Sequence, residues 1–412
     1  MNKKSAVIIT IAALILAACA EAPEEIKREN SILDNVQTIS QTEQRPDLEY
    51  LTLDEIRSRA KGDISSSNTN IVIKNVRIGD GNTMPVYDTV RDYPDYKERI
   101  GKAVSEIFGD DLSSEMKGSI TTDEDFGMIF YAPEGKSIDN GVSVSRKGSM
   151  GITYEFFEQY GNPSAYGTKS NLVKTYLFTE DEQALGDTYI MTDDKELSVG
   201  DAAKEAERLF NAYFILGEDD GISYKINRLD VYKYPDGKHG FLYYMDTYDK
   251  DGNILIGNLN PVIDVKAFDR KETFYPFQRV AYGFFLDSQL HPYAYTNITP
   301  SEGEIKEPGD KLISLKGAMD ILSGRLAASA AYELDAALAY IAVIPPADGL
   351  VEEDDHGEKT IFGAEEYFLN TENNMVLRPF WVFRDSTKSN PEYSVWGGLF
   401  SVDALTGELY IF

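Results

Sequence analysis

The sequence predicts an α+β fold made of duplicated units, each a helix packed on an antiparallel β-sheet. First, the helix-opening serines Ser198 and Ser314 are 116 positions apart (314 − 198). Second, the same offset relates Asp287 to Asp403, and each aspartate follows a hydrophobic run and precedes a turn. One offset at both ends of a segment indicates an internal repeat. Third, 26 tyrosines and 20 phenylalanines favour a folded, β-rich body over disorder.

The N-terminal part of the chain carries local signals for one helix and one strand. Thr52 and Glu55 have the spacing of a capping box, which predicts a helix start. Residues 70–78 alternate between apolar and polar side chains, as a half-buried strand does, and the turn residues 79–82 follow them.

A helix followed by three strands is predicted farther along the chain. Residues 94–108 place their apolar side chains on one helical stripe. The β-like runs after it are residues 127–132, 141–146 and 151–157, and residues 147–149 are expected to close a hairpin between the last two. This stretch is either a third copy of the repeat or an unrelated segment.

The two serines that define the repeat are predicted helix N-caps. Ser198 and Ser314 each stand directly before an amphipathic pattern. Strands of the last unit are expected at residues 338–344, 366–369, 377–383, 397–402 and 408–412. Because the helix covers one face of such a sheet, the other face must be solvated or must meet a neighbouring unit or a partner.

The domain organisation follows from composition and from the repeat. We predict a lipoprotein signal peptide (1–19), a flexible spacer (20–48), an N-terminal α+β domain (49–180), a first α+β unit (181–300) and a second α+β unit (301–412). The spacer is polar, acidic and poor in aromatic residues, as flexible linkers are.

The first nineteen residues hold the only cysteine of the chain. Lys3 and Lys4 precede an apolar run at residues 6–16, which is shorter than the roughly 20 residues that a membrane-spanning helix needs. This is the pattern of a secretory signal. Residues 16–19 (LAAC) resemble a bacterial lipobox, so Cys19 is the predicted lipidation site. An ordinary cleaved signal with an incidental cysteine, or an uncleaved N-terminal anchor, is the alternative.

Lipidation of Cys19 would fix the location of the protein and would leave no thiol for catalysis, disulfides or metal binding. The body is expected at the extracytoplasmic face of the cell membrane, held there by acyl chains. Since no other thiol exists, disulfides, cysteine catalysis and cysteine zinc sites are excluded. The net charge of −29 opposes nucleic acid, whose phosphates are bound by cationic side chains, and repels anionic lipid headgroups.

Several residues near the C-terminus form a pattern shared with a known family. They are Ile313-Ser314-Leu315 with Ala318, Tyr367, residues 377–383 (LRPFWVF) and residues 401–408 (SVDALTGE). Together they resemble the C-terminal domain of YycH/YycI-type proteins and, more loosely, PepSY-type modules. The resemblance covers about a hundred residues, with a fainter version at residues 197–296.

This resemblance implies an extracytoplasmic binding or regulatory domain without catalytic residues. YycH and YycI proteins restrain an envelope-sensing histidine kinase through their transmembrane helices, whereas a cleaved, lipidated signal leaves this chain without one. PepSY modules imply binding or inhibitory domains in secreted and surface proteins.

The residues that usually carry catalysis stand in contexts typical of loops. His239 lies in a glycine-containing turn, His291 lies beside Pro292 in another turn, and His356 lies in an acidic stretch. None has the HExxH spacing of a metal site, and the chain has no GxSxG serine motif. We therefore predict no catalytic residue, no metal site and no cofactor.

Acidic residues leave some alternatives open. Residues 246–253 (DTYDKDGN) contain calcium-type ligands, but the EF-hand register fails because Thr247 would come first and Asn258 last. A tyrosine-rich strand that turns at residues 251–252 explains the stretch better. A glycosidase-type carboxylate pair is also possible among 69 acidic residues.

The aromatic residues have two readings as well. Tyrosines, Trp381 and Trp396 suit carbohydrate stacking, while cross-strand packing is the commoner use of such residues in sheets.

The leading functional prediction is a non-enzymatic binding or regulatory scaffold at the cell envelope. Its expected partners are the membrane, through the lipid anchor, and an envelope protein or cell-wall component. The alternative is a carboxylate-dependent hydrolase or carbohydrate-binding protein that acts on cell-surface glycans. A solute-binding protein of a transporter is disfavoured because the sequence lacks alternating β-α units of a parallel sheet.

Overall fold

The computed structural model describes most of the regular elements of the chain. The described residues are 48–60, 62, 71–90, 118–123, 128–133, 141–145, 150–153, 160–164, 168–178, 185–214, 222–255, 275–276, 281–296, 301–324, 326, 331–344, 352–353, 359–360, 376–385 and 400–410. This part is mostly β, with a large mixed sheet and three helices, and is α+β in the broad sense that the sequence predicts.

The helices of the described part are α1 (Leu53–Ala60), α2 (Val199–Tyr213) and α3 (Leu315–Ser323). The strands of the N-terminal half are β1 (Tyr50–Leu51), β2 (Ile71–Ile78), β3 (Val86–Val90), β4 (Gly118–Asp123), β5 (Met128–Pro133), β6 (Gly141–Ser145), β7 (Met150–Thr153), β8 (Asn171–Leu177), β9 (Thr188–Ile190) and β10 (Glu196–Ser198). Those of the C-terminal half are β11 (Ser223–Lys233), β12 (His239–Tyr248), β13 (Ile254–Leu255), β14 (Tyr275–Pro276), β15 (Ala281–Phe285), β16 (Pro292–Thr296), β17 (Ser301–Glu307), β18 (Leu312–Ile313), β19 (Tyr332–Ile344), β20 (Glu352–Glu353), β21 (Lys359–Thr360), β22 (Val376–Asp385), β23 (Phe400–Asp403) and β24 (Leu409–Tyr410).

The first part of the large sheet, called the first sheet below, is antiparallel throughout. Its strand order is β8-β11-β12-β15-β16-β7-β6-β5-β4. Helix α2 covers one face, where Phe210 and Phe214 stack at 4.4 Å and pack among Leu229, Phe241 and Phe285. The pairing of β6 with β7 agrees with the predicted hairpin at residues 147–149, which themselves lie outside the described residues.

The second part of the large sheet, called the second sheet, is centred on β19. The order β19-β22-β23-β24 is antiparallel, and β2 joins the other side of β19 in parallel orientation. At its C-terminal end β19 also pairs with β13 and β14. The prediction of purely antiparallel sheets is therefore wrong at β19, because β2 and β13 approach it from distant parts of the chain in the same direction.

Strand β13 joins the two sheets. It pairs antiparallel with the end of β12, at Thr247 and Tyr248, and parallel with Ala339 and Tyr340 of β19. The apolar core of the second sheet lies on the face covered by α1 and α3. Ile56 of α1 and Met319 of α3 are both buried there, with Trp381 of β22.

The predicted caps are confirmed where the structure describes them. The Ser198 hydroxyl accepts a hydrogen bond from the backbone N–H of Asp201 at 3.0 Å, and Ser314 does the same with Gly317 at 3.1 Å. At the start of α1, Glu55 accepts from the backbone N–H of Thr52 at 2.9 Å, as a capping box requires.

Several predictions fall on residues that the structure does not describe. They include the lipidation site Cys19, residues 1–47 of the signal and spacer, the helix at 94–108, the strand at 366–369, His356 and Trp396. Among the described residues, no helix is both long and apolar enough to span a membrane.

Candidate functional site

The six buried acidic side chains of the described part are all aspartates, and each is engaged in contacts within the protein. They are Asp230, Asp246, Asp249, Asp287, Asp335 and Asp403. Because an unpaired buried carboxylate is costly, these partners show whether the group is structural or available for chemistry.

Two of these aspartates bind arginines on the face of the first sheet opposite α2. Asp246 of β12 pairs with Arg77 of β2, which also donates to the Tyr248 hydroxyl. Burial lowers the pKa of Arg77, but Asp246 and Tyr248 outweigh it, so the net pKa is raised. This ion pair ties β2 of the second sheet to β12 of the first.

Asp230 is fully buried beside Arg228, two residues earlier on β11. The guanidinium contacts both carboxylate oxygens, at 2.7 and 2.6 Å, and the Thr175 hydroxyl donates at 2.7 Å. Burial raises the pKa of Asp230, and its two partners offset this only in part. Arg228 also lies 5.5 Å from the centre of the Tyr244 ring.

The two aspartates of the proposed repeat close the turns after β15 and β23. Asp287 accepts hydrogen bonds from the backbone N–H groups of Gln289 and His291, and its other oxygen contacts the His291 ring at 2.5 Å. Asp403 accepts from the N–H groups of Leu405 and Thr406. Both carboxylates therefore act as turn caps.

The remaining pairs belong to the second sheet. Arg378 contacts Asp403 at 2.5 Å and Glu307 at 2.7 Å, while Arg384 contacts Asp335 at 2.9 Å. Burial lowers the pKa of Arg378, and the two carboxylates raise it by more. These contacts link strands of the second sheet, to which β17 belongs because it pairs with β3, and β3 pairs with β22.

The acidic stretch at residues 246–253 covers the end of β12 and the turn at residues 249–253 that leads to β13. Asp249 accepts from the backbone of Asp251 and Asn253 and from the Asn253 amide, at 2.7–2.9 Å. Burial raises the pKa of Asp249 against these donors. Gly252 has φ +85°, which suits a hairpin turn. The hairpin reading is thus favoured over a calcium loop.

No group of three or more histidine, cysteine or acidic side chains in the described part is placed to hold a metal ion. Of the histidines in that part, His239 contacts the Ile190 carbonyl at 3.0 Å and the Tyr189 ring at 5.1 Å, and His291 contacts Asp287. Each ring contacts residues of a local turn or strand end.

Aromatic side chains cover the face of the first sheet opposite α2. We name this surface the tyrosine face; it consists of Tyr160, Tyr232, Tyr234, Tyr244, Tyr282, Phe284 and Tyr293. Phe284 and Tyr293 are cross-strand neighbours whose rings stack at 4.3 Å. Tyr244 and Tyr282 form the next cross-strand pair, with ring centres 6.5 Å apart.

The residues of the tyrosine face differ in solvent exposure. Tyr232, Tyr234 and Phe284 are buried, whereas Tyr244, Tyr282 and Tyr293 are partly exposed. At its border the Tyr160 hydroxyl donates to Asp236 at 2.6 Å, and this bond to a carboxylate raises the pKa of Tyr160 to about 12. Such a surface offers flat, partly exposed aromatic rings to a partner but no nucleophile.

Sequence reasoning found the tyrosines but not their arrangement. The alternation of Leu242 and Tyr244 along β12, and of Tyr282 and Phe284 along β15, is the signal that places them on one face. Trp381, by contrast, is fully buried and donates to the Ile313 carbonyl at 2.8 Å, so it belongs to the core.

Comparisons with known proteins found no match. No protein-family model matches the chain, no curated protein matches it, and no solved structure matches its fold. The resemblance to YycH/YycI-type and PepSY-type domains therefore stays a prediction from the residues that carry it.

Proposed function

We propose that this protein is an extracytoplasmic lipoprotein, anchored through Cys19, that binds or regulates another component of the cell envelope without catalysing a reaction. The observation that carries the binding role is a contrast between two sets of side chains. All six buried aspartates of the described part hold structural partners, while the tyrosine face keeps rings of Tyr244, Tyr282 and Tyr293 partly exposed. This contrast favours recognition over carboxylate-based hydrolysis of glycans.

The body of the protein is, in this proposal, a duplication of one α+β unit. Support comes from connectivity: α2 is followed by strands in the order β11-β12-β15-β16, and α3 by β19-β22-β23-β24. Each helix starts at a serine cap. A turn-capping aspartate lies two residues after the third strand β15, at Asp287, and at the last residue of the third strand β23, at Asp403. The serine caps and the turn-capping aspartates correspond at the 116-residue offset on which the repeat was predicted, whereas the first two strands of the two arrangements do not.

The partner is an envelope protein or a cell-wall component that lies against the tyrosine face. Tyrosine suits this role because its ring is rigid and apolar while its hydroxyl can donate or accept a hydrogen bond. Acyl chains on Cys19 keep the body close to the membrane surface, which raises the local concentration of such partners.

Position-dependent photocrosslinking in cells tests the binding role. A photoreactive amino acid replaces Tyr282 on the tyrosine face and, as the control, Ile305 on β17, whose side chain is 63% exposed. We expect a discrete crosslinked product at position 282 that is absent at 305 and is lost when Cys19 is changed to Ser. Equal products at the two positions, or none at 282, would contradict the role of this face.

A further inference from the structure

The first described residues form a segment that packs against the second sheet. This segment, named the N-terminal strap, comprises residues 48–60, which include β1 and α1. Tyr50 and Leu51 of β1 pair antiparallel with Ile313 and Leu312 of β18. The strap therefore forms a separate two-stranded sheet with β18, on the side of the second sheet that α3 covers.

Side chains and backbone fix the strap along its length. The backbone N–H of Ser314 donates to the Glu49 carbonyl at 3.1 Å, and Leu48 lies against Gly407 in the last turn. Leu53 and Ile56 are buried in the same core as α3. Leu48, the first described residue, thus lies beside the start of α3 and the last turn.

The hairpin formed by β9 and β10 lies at the opposite end of β12 from the junction of the sheets. Met191 bridges His239 at the first residue of β12, while β13 joins β12 at Thr247 and Tyr248. Nine residues separate His239 from Tyr248, which is about 30 Å along a strand. The turn that Leu48 contacts lies near the junction, because the Ala404 N–H in that turn donates to the Pro379 carbonyl, and Pro379 pairs with Tyr340, where β13 joins β19. The β9–β10 hairpin is therefore remote from the strap.

We infer that the strap orients the protein on the membrane. The second sheet then lies near the membrane, and the β9–β10 end of the first sheet lies away from it. This inference rests on the proposed anchoring through Cys19. The composition of residues 20–47 predicts a flexible tether, whose average reach is about 30 Å. This distance is about equal to the length of the first sheet. The end of the protein to which the tether is attached therefore tends to face the bilayer.

The orientation deepens the proposed function, since it presents the first sheet and its tyrosine face to partners that lie away from the lipid surface. The acidic charge of the chain supports a body held off anionic headgroups, so that the tether and not direct adsorption sets the geometry.

Fluorescence energy transfer to labelled lipids tests the orientation. Lys311→Cys, next to β18, and Lys195→Cys, in the β9–β10 turn, each place one reactive thiol on an exposed residue, because an acylated Cys19 does not react. Each acylated protein is labelled with the same donor dye and reconstituted in phosphatidylcholine vesicles that carry an acceptor dye on the headgroup. We expect the 195 position to lie, on average, about twice as far from the bilayer as the 311 position.

Flotation of the vesicles separates the two possible failures. Protein that floats with the vesicles but transfers energy equally from both positions, or more from 195, overturns the orientation and leaves the anchor intact. Protein that fails to float, and from which no acyl chain is found by mass spectrometry, overturns the anchor itself. Stronger transfer from 311 in floated protein supports the inference.

Discussion

Arg378 of β22 and Asp403 of β23 form a buried ion pair between neighbouring strands, with 2.5 Å between Nε and Oδ2. Their side chains are 4% and 0% exposed. The other oxygen of Asp403 caps the last turn through Leu405 and Thr406. One carboxylate therefore joins the sheet to the turn against which Leu48 of the strap is packed.

Replacing Arg378 by Met is expected to lower the free energy of unfolding by about 3–5 kcal/mol, because Asp403 would remain buried without its charged partner. Urea unfolding measures the change. Lys316→Ala, which breaks the exposed pair with Asp320, is the control and should cost less than about 0.5 kcal/mol. A similar decrease in the free energy of unfolding for both variants would contradict the larger contribution expected of the buried pair.

The serine caps of α2 and α3 give a matched pair of predictions. Ser198→Ala and Ser314→Ala should each lower the free energy of unfolding by about 1 kcal/mol, since each leaves a helix N–H unpaired. Ser58→Ala removes only an exposed bond to the Glu55 carbonyl and should have little effect. Thermal unfolding of the three variants measures the difference, and indistinguishable midpoints would contradict it.

The contact between two glycine-containing loops makes Gly79 sensitive to substitution. A Cβ at Gly79 would lie 2.3 Å from the Gly252 carbonyl oxygen in the turn between β12 and β13. Gly79→Ala should therefore cost about 1–3 kcal/mol through overpacking. Gly186→Ala meets no atom within 4 Å and is the control. Urea midpoints that are unchanged in both variants would be inconsistent with this contact.

The capping box of α1 predicts a specific pH dependence. Hydrogen bonds from the backbone and hydroxyl of Thr52 lower the pKa of Glu55 from its ordinary value of 4.5. A carboxyl whose pKa is lower in the folded state adds stability above its unfolded pKa, and this stability is lost as pH falls through the folded pKa. Glu55→Gln should remove that contribution, so its unfolding free energy should fall less steeply below pH 4.5 than that of the unmodified protein. Parallel pH profiles would contradict the assignment.

Local patterns predicted much of the fold because they depend on neighbouring residues. The strand at Ile71–Ile78, the caps at Ser198 and Ser314 and the capping box at Thr52 are all present. Such patterns do not predict which distant segments of the chain pair with each other. The contact of two-residue β13 with β19 has no periodicity of its own, and the sequence contains no signal that pairs Arg77 with Asp246, 169 residues away.

The candidate site was likewise predictable from local patterns only in part. Alternation places Tyr244 and Tyr282 on strand faces, but which faces meet α2 and which remain partly exposed depends on the order of the strands. The engagement of Asp287 and Asp403 as turn caps likewise depends on the folded turns after their strands. The sequence alone left binding and carboxylate chemistry as alternatives for that reason.

Mass spectrometry of the processed protein, purified from the membrane fraction, tests the central claim most directly. We expect a chain that begins at Cys19 with acyl groups on that residue, and a Cys19→Ser variant that is released from membranes or remains an unprocessed precursor. An N-terminus at Met1 with a free thiol at Cys19, or a Cys19→Ser variant that stays processed and membrane-bound, would contradict it.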